Sequence, residues 1–462
     1  MTKKNYIVLT LLVAAMGAIA QNRILIELTG QGGKGVIAIP AFRGSGEAER
    51  FMATFNTTLW AEIEQSGLFR MAPRTSYPLQ TPQRPQDILG GQAPVAPVRR
   101  GAPAPAPAQP TGLYLSDWAG PPVSANYLAF GYTAAQGGRL VLMGYFYNVN
   151  QPDAANAQVF GKIYNGSLDD AGSRQVARDF AADILKQFGM ASLAGTQVIF
   201  VSNRTGAKEI WAMDYDGANQ RPITKYGSIS TTPAVSPDGA KVAFTTYART
   251  RPEIMIHSLE TSRRLPFFNQ NASMNATPFF TPDGKRIVFS STLAEGYAQI
   301  YIADVNGSNL KRLTHSRVVE MEPKVNPKTG NELVFVSGRS GPQQIYKMNI
   351  EGTDIVRLTT GEGEASNPCW HPDGQHMAFA WTRGFEPGNF NIFIMNVVTR
   401  EYVQLTHGAG RNENPTWAPD GRHLVFSSKR GGRTNIYTML ADGTQVKQLT
   451  TQGDNTMPVW SN

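Results

Sequence analysis

Side chains that could carry out catalysis are scattered along this chain without forming a catalytic pattern. The nucleophile elbow of serine hydrolases, Gly-x-Ser-x-Gly, does not occur, and the nearest run, Gly338-Arg-Ser-Gly341, lacks its spacing. A pair of glycosidase acids cannot be assigned from spacing alone, because the separation of the two carboxylates in space defines such a site. The sequence therefore predicts no catalytic residue.

The histidines are the next candidates, as metal ligands. They are His257, His315, His371, His376, His407 and His423. None forms a His-x-x-x-His or Cys/His pair on one helix, and they fall at inconsistent positions of the repeat described below. His371 and His376 straddle a turn, where we expect them to lie at the surface. We predict no metal site and no cofactor.

A glycine-rich run near the start could bind a phosphate group. It reads Gly30-Gln-Gly-Gly-Lys-Gly35, but a Walker A loop needs Ser or Thr after its lysine, and Lys34 is followed by Gly35. We expect a plain turn between short strands at 23–28 and 36–40.

Composition limits the function classes. The chain has 462 residues and a net charge of +8, with its basic residues dispersed instead of clustered, which disfavours nucleic-acid binding. Cys369 is the single cysteine, so no intramolecular disulfide can form.

The first residues have the features of a signal peptide. Lys3 and Lys4 precede an apolar run over 6–16, and Ala18-Ile-Ala20 fits the rule for signal peptidase. About eleven apolar residues fall short of the ~20 that cross a bilayer. We expect residues 1–20 to be removed on export, which leaves a soluble protein.

The second half repeats a Pro-Asp-Gly turn, and this period indicates the architecture. Copies run over 233–239, 278–284, 368–374 and 415–421, with a decayed copy over 323–330. Counting Lys328 as the third aspartate, the copies are 45, 45, 45 and 47 residues apart, the period of β-propeller blades. Strand-like segments follow each turn and predict four strands per blade.

The ends of the repeat indicate how the ring closes. The repeat opens in mid-unit at Gln197-Val-Ile-Phe200, and the chain ends on an opening strand, Pro458-Val-Trp460. Paired together, the two halves complete a sixth blade and remove exposed edges. We predict an all-β six-bladed propeller over 191–462, closed by the C-terminal strand.

The first half has a mixed pattern. An amphipathic helix over 47–65, strands at 127–133, 139–147 and 158–164, and a second helix over 173–188 predict an α/β N-terminal domain over 21–190, with a mixed sheet and two helices. Nine prolines over 78–110 indicate a mobile surface insert.

The order of a signal peptide, a small α/β domain, six such blades and a terminal Pro458-Val-Trp-Ser461 resembles the TolB family along nearly the whole mature chain. The start, Arg23-Ile-Leu-Ile-Glu27 followed by Gly35-Val-Ile-Ala-Ile-Pro40 and a helix, is similar to the start of TolB-like chains. The proline-rich insert and the turn at Lys328 depart from the family pattern.

The resemblance implies a non-enzymatic, monomeric periplasmic scaffold of the Tol-Pal system. In that family the propeller binds the peptidoglycan-associated lipoprotein, Pal, and the N-terminal segment of the mature chain engages the inner-membrane protein TolA. Such a scaffold links the outer-membrane lipoprotein to inner-membrane Tol proteins and supports outer-membrane integrity and constriction at cell division. A periplasmic propeller hydrolase and a small-ligand sensor are the alternatives.

The family's lipoprotein-binding face carries over to loops just before the opening prolines, at one mouth of the channel. Its residues here are Thr231, Thr232, Met274, Asn275, Ala276, Thr277, Glu320, Met321, Glu322, Ser366, Asn367, Glu413, Asn414, Thr456 and Met457. The TolA-binding segment carries over to Gln21, Asn22, Arg23, Ile24, Leu25, Ile26 and Glu27.

Overall fold

The structure is a computed structural model that describes residues 34–89, 111–151, 154–294, 296–383, 389–408 and 410–461. Two compact units divide the chain, one within Gly32–Ala194 and one within Gly195–Asn462. The predicted signal peptide, the predicted TolA-binding segment, the strand expected at 23–28 and most of the glycine-rich turn lie outside the described residues. Among the described helices, none combines the length and the apolar character needed to cross a membrane.

A mixed six-stranded sheet forms the first unit. Its strands are β1 (Gly35–Ala38), β2 (Arg43–Ser45), β3 (Phe69–Met71), β4 (Tyr127–Gln136), β5 (Arg139–Asn148) and β6 (Gln158–Ser167). The order is β3-β1-β4-β5-β6, with β2 also paired to β4. Strands β1, β2 and β3 are parallel to their neighbours, whereas β4, β5 and β6 form an antiparallel meander. The predicted mixed α/β sheet is confirmed.

Two long helices cover one face of this sheet. The helices of the unit are α1 (Met52–Gln65), α2 (Leu115–Ala119), α3 (Ala154–Ala157) and α4 (Asp170–Lys186). The apolar stripe of α1 packs Phe55 and Leu59 against Phe180 and Ile184 of α4. The first predicted turn of α1 is instead a 3-10 helix over Gly46–Phe51. Helix α4 begins earlier than predicted, because the Asp169 carboxylate caps it at the Gly172 N–H, 2.7 Å away.

The described part of the proline-rich insert, residues 78–89, is tied to the fold. The Asp87 carboxylate accepts the backbone N–H groups of Gln83 and Arg84, each at 2.9 Å. The Leu89 N–H donates to the Leu113 carbonyl at 2.8 Å. Residues 78–89 therefore make hydrogen bonds within the fold, residues 90–110 lie outside the described part, and the mobility of the insert stays a prediction.

Six four-stranded antiparallel blades form the second unit, as the repeat predicted. The innermost strands of blades 1 to 6 are β10 (Ser230–Val235), β14 (Asn275–Phe280), β18 (Glu320–Val325), β22 (Ala365–Trp370), β26 (Arg411–Trp417) and β30 (Asn455–Trp460). The second strands are β11 (Lys241–Thr246), β15 (Arg286–Ser291), β19 (Glu332–Ser337), β23 (His376–Trp381), β27 (His423–Arg430) and, for blade 6, β7 (Gln197–Thr205). These second strands carry a row of fully buried phenylalanines, Phe200, Phe244, Phe289, Phe335, Phe379 and Phe426, between neighbouring blades.

The third strands are about as long as the inner ones, and the outermost strands are shorter. The third strands are β12 (Glu253–Ser258), β16 (Gln299–Asp304), β20 (Gln344–Asn349), β24 (Asn391–Asn396), β28 (Arg433–Leu440) and β8 (Ala207–Asp214). The outermost are β13 (Arg264–Leu265), β17 (Lys311–Arg312), β21 (Val356–Arg357), β25 (Tyr402–Gln404), β29 (Lys447–Gln448) and β9 (Arg221–Pro222). After the fourth strand of a blade, the hydroxyl oxygen of a buried threonine accepts a hydrogen bond from a backbone N–H of the third strand. In blade 3, Thr359 Oγ1 accepts from the Ile345 N–H at 2.9 Å. This bond recurs at Thr224, Thr314, Thr406 and Thr450.

The C-terminal strand completes blade 6. Strand β30 pairs antiparallel with β7, and the Trp460 indole N–H donates to Thr196 Oγ1 at 2.9 Å. Backbone and side chain of Ser461 both bond Gln197, at 2.8 Å each. Because β30 fills the edge that β7 would expose, the ring closes by pairing its two ends.

Candidate functional site

Each inner strand bulges at the same point, and the six bulges form a ring around the channel. In every inner strand the pairing register shifts across two residues, and the first of these two has a left-handed backbone, with φ between 49° and 56°. These residues are Thr232, Thr277, Glu322, Asn367, Asn414 and Met457, and we call them the bulge ring. A non-glycine residue in this conformation costs roughly 1–2 kcal/mol. The conformation recurs in every blade, as do the left-handed residues before the outermost strands, such as Asn219 and Asn309, so it is part of the blade pattern.

Hydrogen bonds connect the bulge ring from blade to blade. The Asn367 N–H donates to the Glu322 carboxylate at 2.8 Å, and the Glu322 N–H donates to Thr277 Oγ1 at 3.4 Å. The Asn414 N–H donates to Asn367 Oδ1 at 3.3 Å, and the Thr232 N–H to Met457 Sδ at 3.4 Å. Side chains of one blade thus satisfy the backbone that the bulge of the next blade leaves unpaired.

The bulge ring lies at the wall of a cavity of about 90 Å³. A second cavity of about 350 Å³ continues towards the Pro-Asp-Gly turns, and both share Phe279, Cys369, Thr416 and Val459 as lining. One channel therefore follows the inner strands, with the bulge ring near their beginnings and the turns beyond their ends.

The predicted face maps onto this end of the channel, with one difference in local structure. We expected loops, but apart from Met274 the fifteen residues lie on the inner strands themselves. Half-buried side chains next to the bulge ring, such as Met321 and Ser366, are open to a partner. The sequence does not show the bulges, since left-handed threonine, glutamate and methionine residues have no sequence signature.

Some predicted face residues instead hold their own blade together. Glu320 is fully buried, where its carboxylate pairs with the Arg339 guanidinium at 2.5 Å and accepts from Ser337 at 3.0 Å. Asn275 is also buried, and its amide donates to the Gln270 carbonyl at 3.0 Å. These two side chains support the mouth of the channel from within.

Two ionisable side chains of opposite charge, Glu322 and Lys324, line the channel and interact through their charges. Burial raises the pKa of the Glu322 carboxyl above its ordinary value, and the hydrogen bonds from Asn367 and the charge of Lys324 offset part of this rise. Burial likewise lowers the pKa of the Lys324 ammonium, whose Nζ lies 4.7 Å from the centre of the Phe279 ring. The mouth carries a polar arc at Glu322, Asn367 and Asn414 beside a less polar arc at Thr232, Thr277 and Met457.

The expectation for the histidines was wrong in one respect. His371 and His376 are buried, with 9% and 4% of their surface exposed, because both turn inward onto Asp373. His376 and His423 occupy equivalent positions, since each pairs through Nδ1 with the aspartate three residues earlier. The spacing His-x-Asp-x-x-His is the sequence signal that brings His371, Asp373 and His376 together in blade 4.

The second unit is therefore a six-bladed β-propeller with a ring of left-handed residues near one end of its channel. A model of the TolB β-propeller domain matches residues 186–383 and 360–462. The chain therefore belongs to the TolB β-propeller family.

Curated relatives agree with this assignment. The chain is 34% identical over 219 residues to the Protein TolB homolog of Chlorobium chlorochromatii, covering 47% of each chain. It is 34% identical over 199 residues to the Tol-Pal system protein TolB of Bordetella pertussis, covering 43% of this chain and 44% of the relative. The matches span about half the length of these relatives.

The fold of the whole chain is similar to that of a solved structure. The crystal structure of TolB from Acinetobacter baumannii superposes with a TM-score of 0.70 over 93% of this chain and 97% of that chain, at 20% identity. At this identity the likeness concerns the fold.

Proposed function

We propose that this protein is a non-enzymatic periplasmic scaffold of the Tol-Pal system whose channel mouth binds the peptidoglycan-associated lipoprotein. The observation that carries the proposal is the bulge ring, a rim of left-handed residues present in every blade and joined by hydrogen bonds between several neighbouring blades, at the wall of a cavity. Enzymes with a propeller fold need a matched set of reacting groups, whereas the rim offers amide, hydroxyl, thioether and carboxylate groups suited to a protein segment.

The rim is suited to capture a chain segment. The polar arc supplies hydrogen-bond partners, while Met321, Met274 and Met457 offer adaptable apolar contacts. Because the hydrogen bonds between neighbouring blades hold the bulge ring in place, the ring loses little conformational entropy when a partner binds. A rigid, concave rim of this kind favours an inserted loop or peptide from the lipoprotein.

The second contact of the scaffold is proposed for residues 21–27. In the family that the sequence resembles, this segment engages TolA, and its β-branched residues Ile24 and Ile26 suit strand addition to a partner sheet. With the lipoprotein at the mouth, the two contacts would connect the outer membrane to the inner-membrane Tol proteins, in support of envelope integrity and constriction at division.

A pull-down from solubilised envelope tests the proposal. The protein lacking residues 1–20 is compared with a Met321→Arg/Ser366→Arg variant, which places two cations on half-buried positions of the mouth. The matched control, Ala240→Arg/Asn331→Arg, places two cations on exposed positions of Pro-Asp-Gly turns at the other end of the channel.

We expect the unaltered protein and the control to recover a peptidoglycan-anchored lipoprotein, and the mouth variant to recover far less. Recovery of no lipoprotein by the unaltered protein would contradict the proposed function. Equal recovery by all three would place the site elsewhere. A turnover or melting shift with small molecules would favour the hydrolase or the sensor instead.

A further inference from the structure

A cluster of three potential metal ligands lies outside the channel mouth, in the turn of blade 4. The Asp373 carboxylate is between two imidazoles, with Oδ1 at 3.0 Å from His371 Nδ1 and Oδ2 at 2.7 Å from His376 Nδ1. One ligand atom from each residue lies within 4.8 Å of the other two. The pair Asp373–His376 recurs in blade 5 as Asp420–His423, whereas the equivalent turns of blades 1 and 2 carry Ser236 and Thr281 in place of His371.

The hydrogen bonds of His371 decide which of its nitrogens is a ligand. Its Nε2 lies 2.8 Å from the Gly421 carbonyl oxygen, which can only accept, so Nε2 carries the proton. In a neutral ring, Nδ1 then holds a lone pair that accepts the Asp373 N–H at 3.1 Å, and Asp373 Oδ1 lies 3.0 Å from the same nitrogen. In blades 1 and 2, a hydroxyl proton bridges the same gap to the aspartate. Two acceptor atoms 3.0 Å apart need a cation between them, either a proton on Nδ1 or a metal ion.

The surroundings meet the demands of a metal site. Metal-bound histidines donate their second N–H to a carbonyl or carboxylate, which fixes ring and tautomer, and the Gly421 carbonyl does this for His371. The Trp417 ring packs edge-on against His371, with centroids 4.6 Å apart. Asp373 is one-third exposed, which leaves an approach for an ion and its water.

We propose that His371, Asp373 and His376 bind a divalent transition-metal ion of the zinc class. Two imidazole nitrogens and one carboxylate oxygen, with a water as fourth ligand, form a set that zinc accepts in a tetrahedral geometry. Because His371 also contacts Gly421 and Trp417 of blade 5, the ion would fasten the turn of blade 4 to its neighbour. Its role is structural and adds to the binding function of the mouth.

Calorimetric titration of zinc chloride into the chelator-stripped protein lacking residues 1–20 tests the site. We expect one ion per chain and a rise in the melting temperature with zinc. Cobalt(II) gives a second readout through the visible absorption of a tetrahedral complex. A chain that binds no zinc would overturn the proposal.

Two substitutions locate the ion. His371→Ser reproduces the turn of blade 1 and should fold, yet we expect it to weaken zinc affinity by about 100-fold or more. The matched control, His315→Ser, removes an exposed histidine of the propeller and should leave affinity unchanged. Asp373→Asn gives a second, independent loss. Unchanged zinc binding by both His371→Ser and Asp373→Asn would overturn the site.

Discussion

At the residue scale, the aspartate of each Pro-Asp-Gly turn is an acceptor that the fold holds ionised. In Asp420, burial opposes ionisation, but the hydrogen bond from His423 at 2.6 Å and the backbone N–H groups of Arg422 and His423 outweigh it and lower the pKa. Hydrogen bonds from Ser236 and Thr281 lower the pKa of Asp238 and Asp283 in the same way. The sequence shows the turn but not these partners, which depend on how each blade packs.

A pH dependence follows for Asp420. Because its folded pKa lies below the unfolded value of about 3.9, its contribution to stability is fully present above pH ~4 and is lost as pH falls. Asp420→Asn should therefore lower the unfolding free energy by about 1–2 kcal/mol at pH 7, with a smaller gap at pH 3. Urea unfolding of the propeller measures both.

The control for this prediction is Asp442→Asn, which alters a turn aspartate that accepts from the Thr444 N–H at the surface. We expect this variant to unfold within about 0.5 kcal/mol of the parent. A loss in Asp420→Asn that does not diminish at low pH would show that shape, and not charge, accounts for the effect.

At the element scale, the sequence predicted the blades well because their signals are local. A turn, an alternating strand and a glycine hairpin recur with one period, so the four strands and the closing role of β30 could be inferred before any contact was known. The elements that were missed have weak or non-local signals. Strand β3 has three residues and depends on β1, and the bulges arise where one inner strand meets its neighbour.

Loss of the closing strand tests how the ring is held. Deleting residues 455–462 should expose the edge of β7 and remove the Trp460 bond to Thr196, so we expect a lower melting temperature and concentration-dependent aggregation. Thermal unfolding with light scattering measures both. Trp460→Phe keeps the strand and should lose only about 1–2 kcal/mol. A deleted chain that melts like the parent would contradict closure by β30.

At the scale of the whole molecule, the sequence predicts where the channel mouth lies along the chain, and the structure shows how its residues are arranged. The family resemblance indicated the region, since its residues precede the repeated prolines. The structure adds that six of them form a strained, hydrogen-bonded ring, and that Glu320 and Asn275 are supports instead of contacts. Spacing along the chain could not separate these roles, because neighbours on one strand point to opposite sides.

The central claim is that this ring is the rim of a lipoprotein-binding site. The most direct measurement is a calorimetric titration of the purified, lipid-free peptidoglycan-associated lipoprotein of the same organism into the protein, its Met321→Arg/Ser366→Arg variant and the Ala240→Arg/Asn331→Arg control. We predict one lipoprotein per chain, unchanged affinity in the control and at least a tenfold loss, about 1.4 kcal/mol, in the mouth variant. Equal affinity in all three proteins, or no binding by the unaltered chain, would contradict the claim.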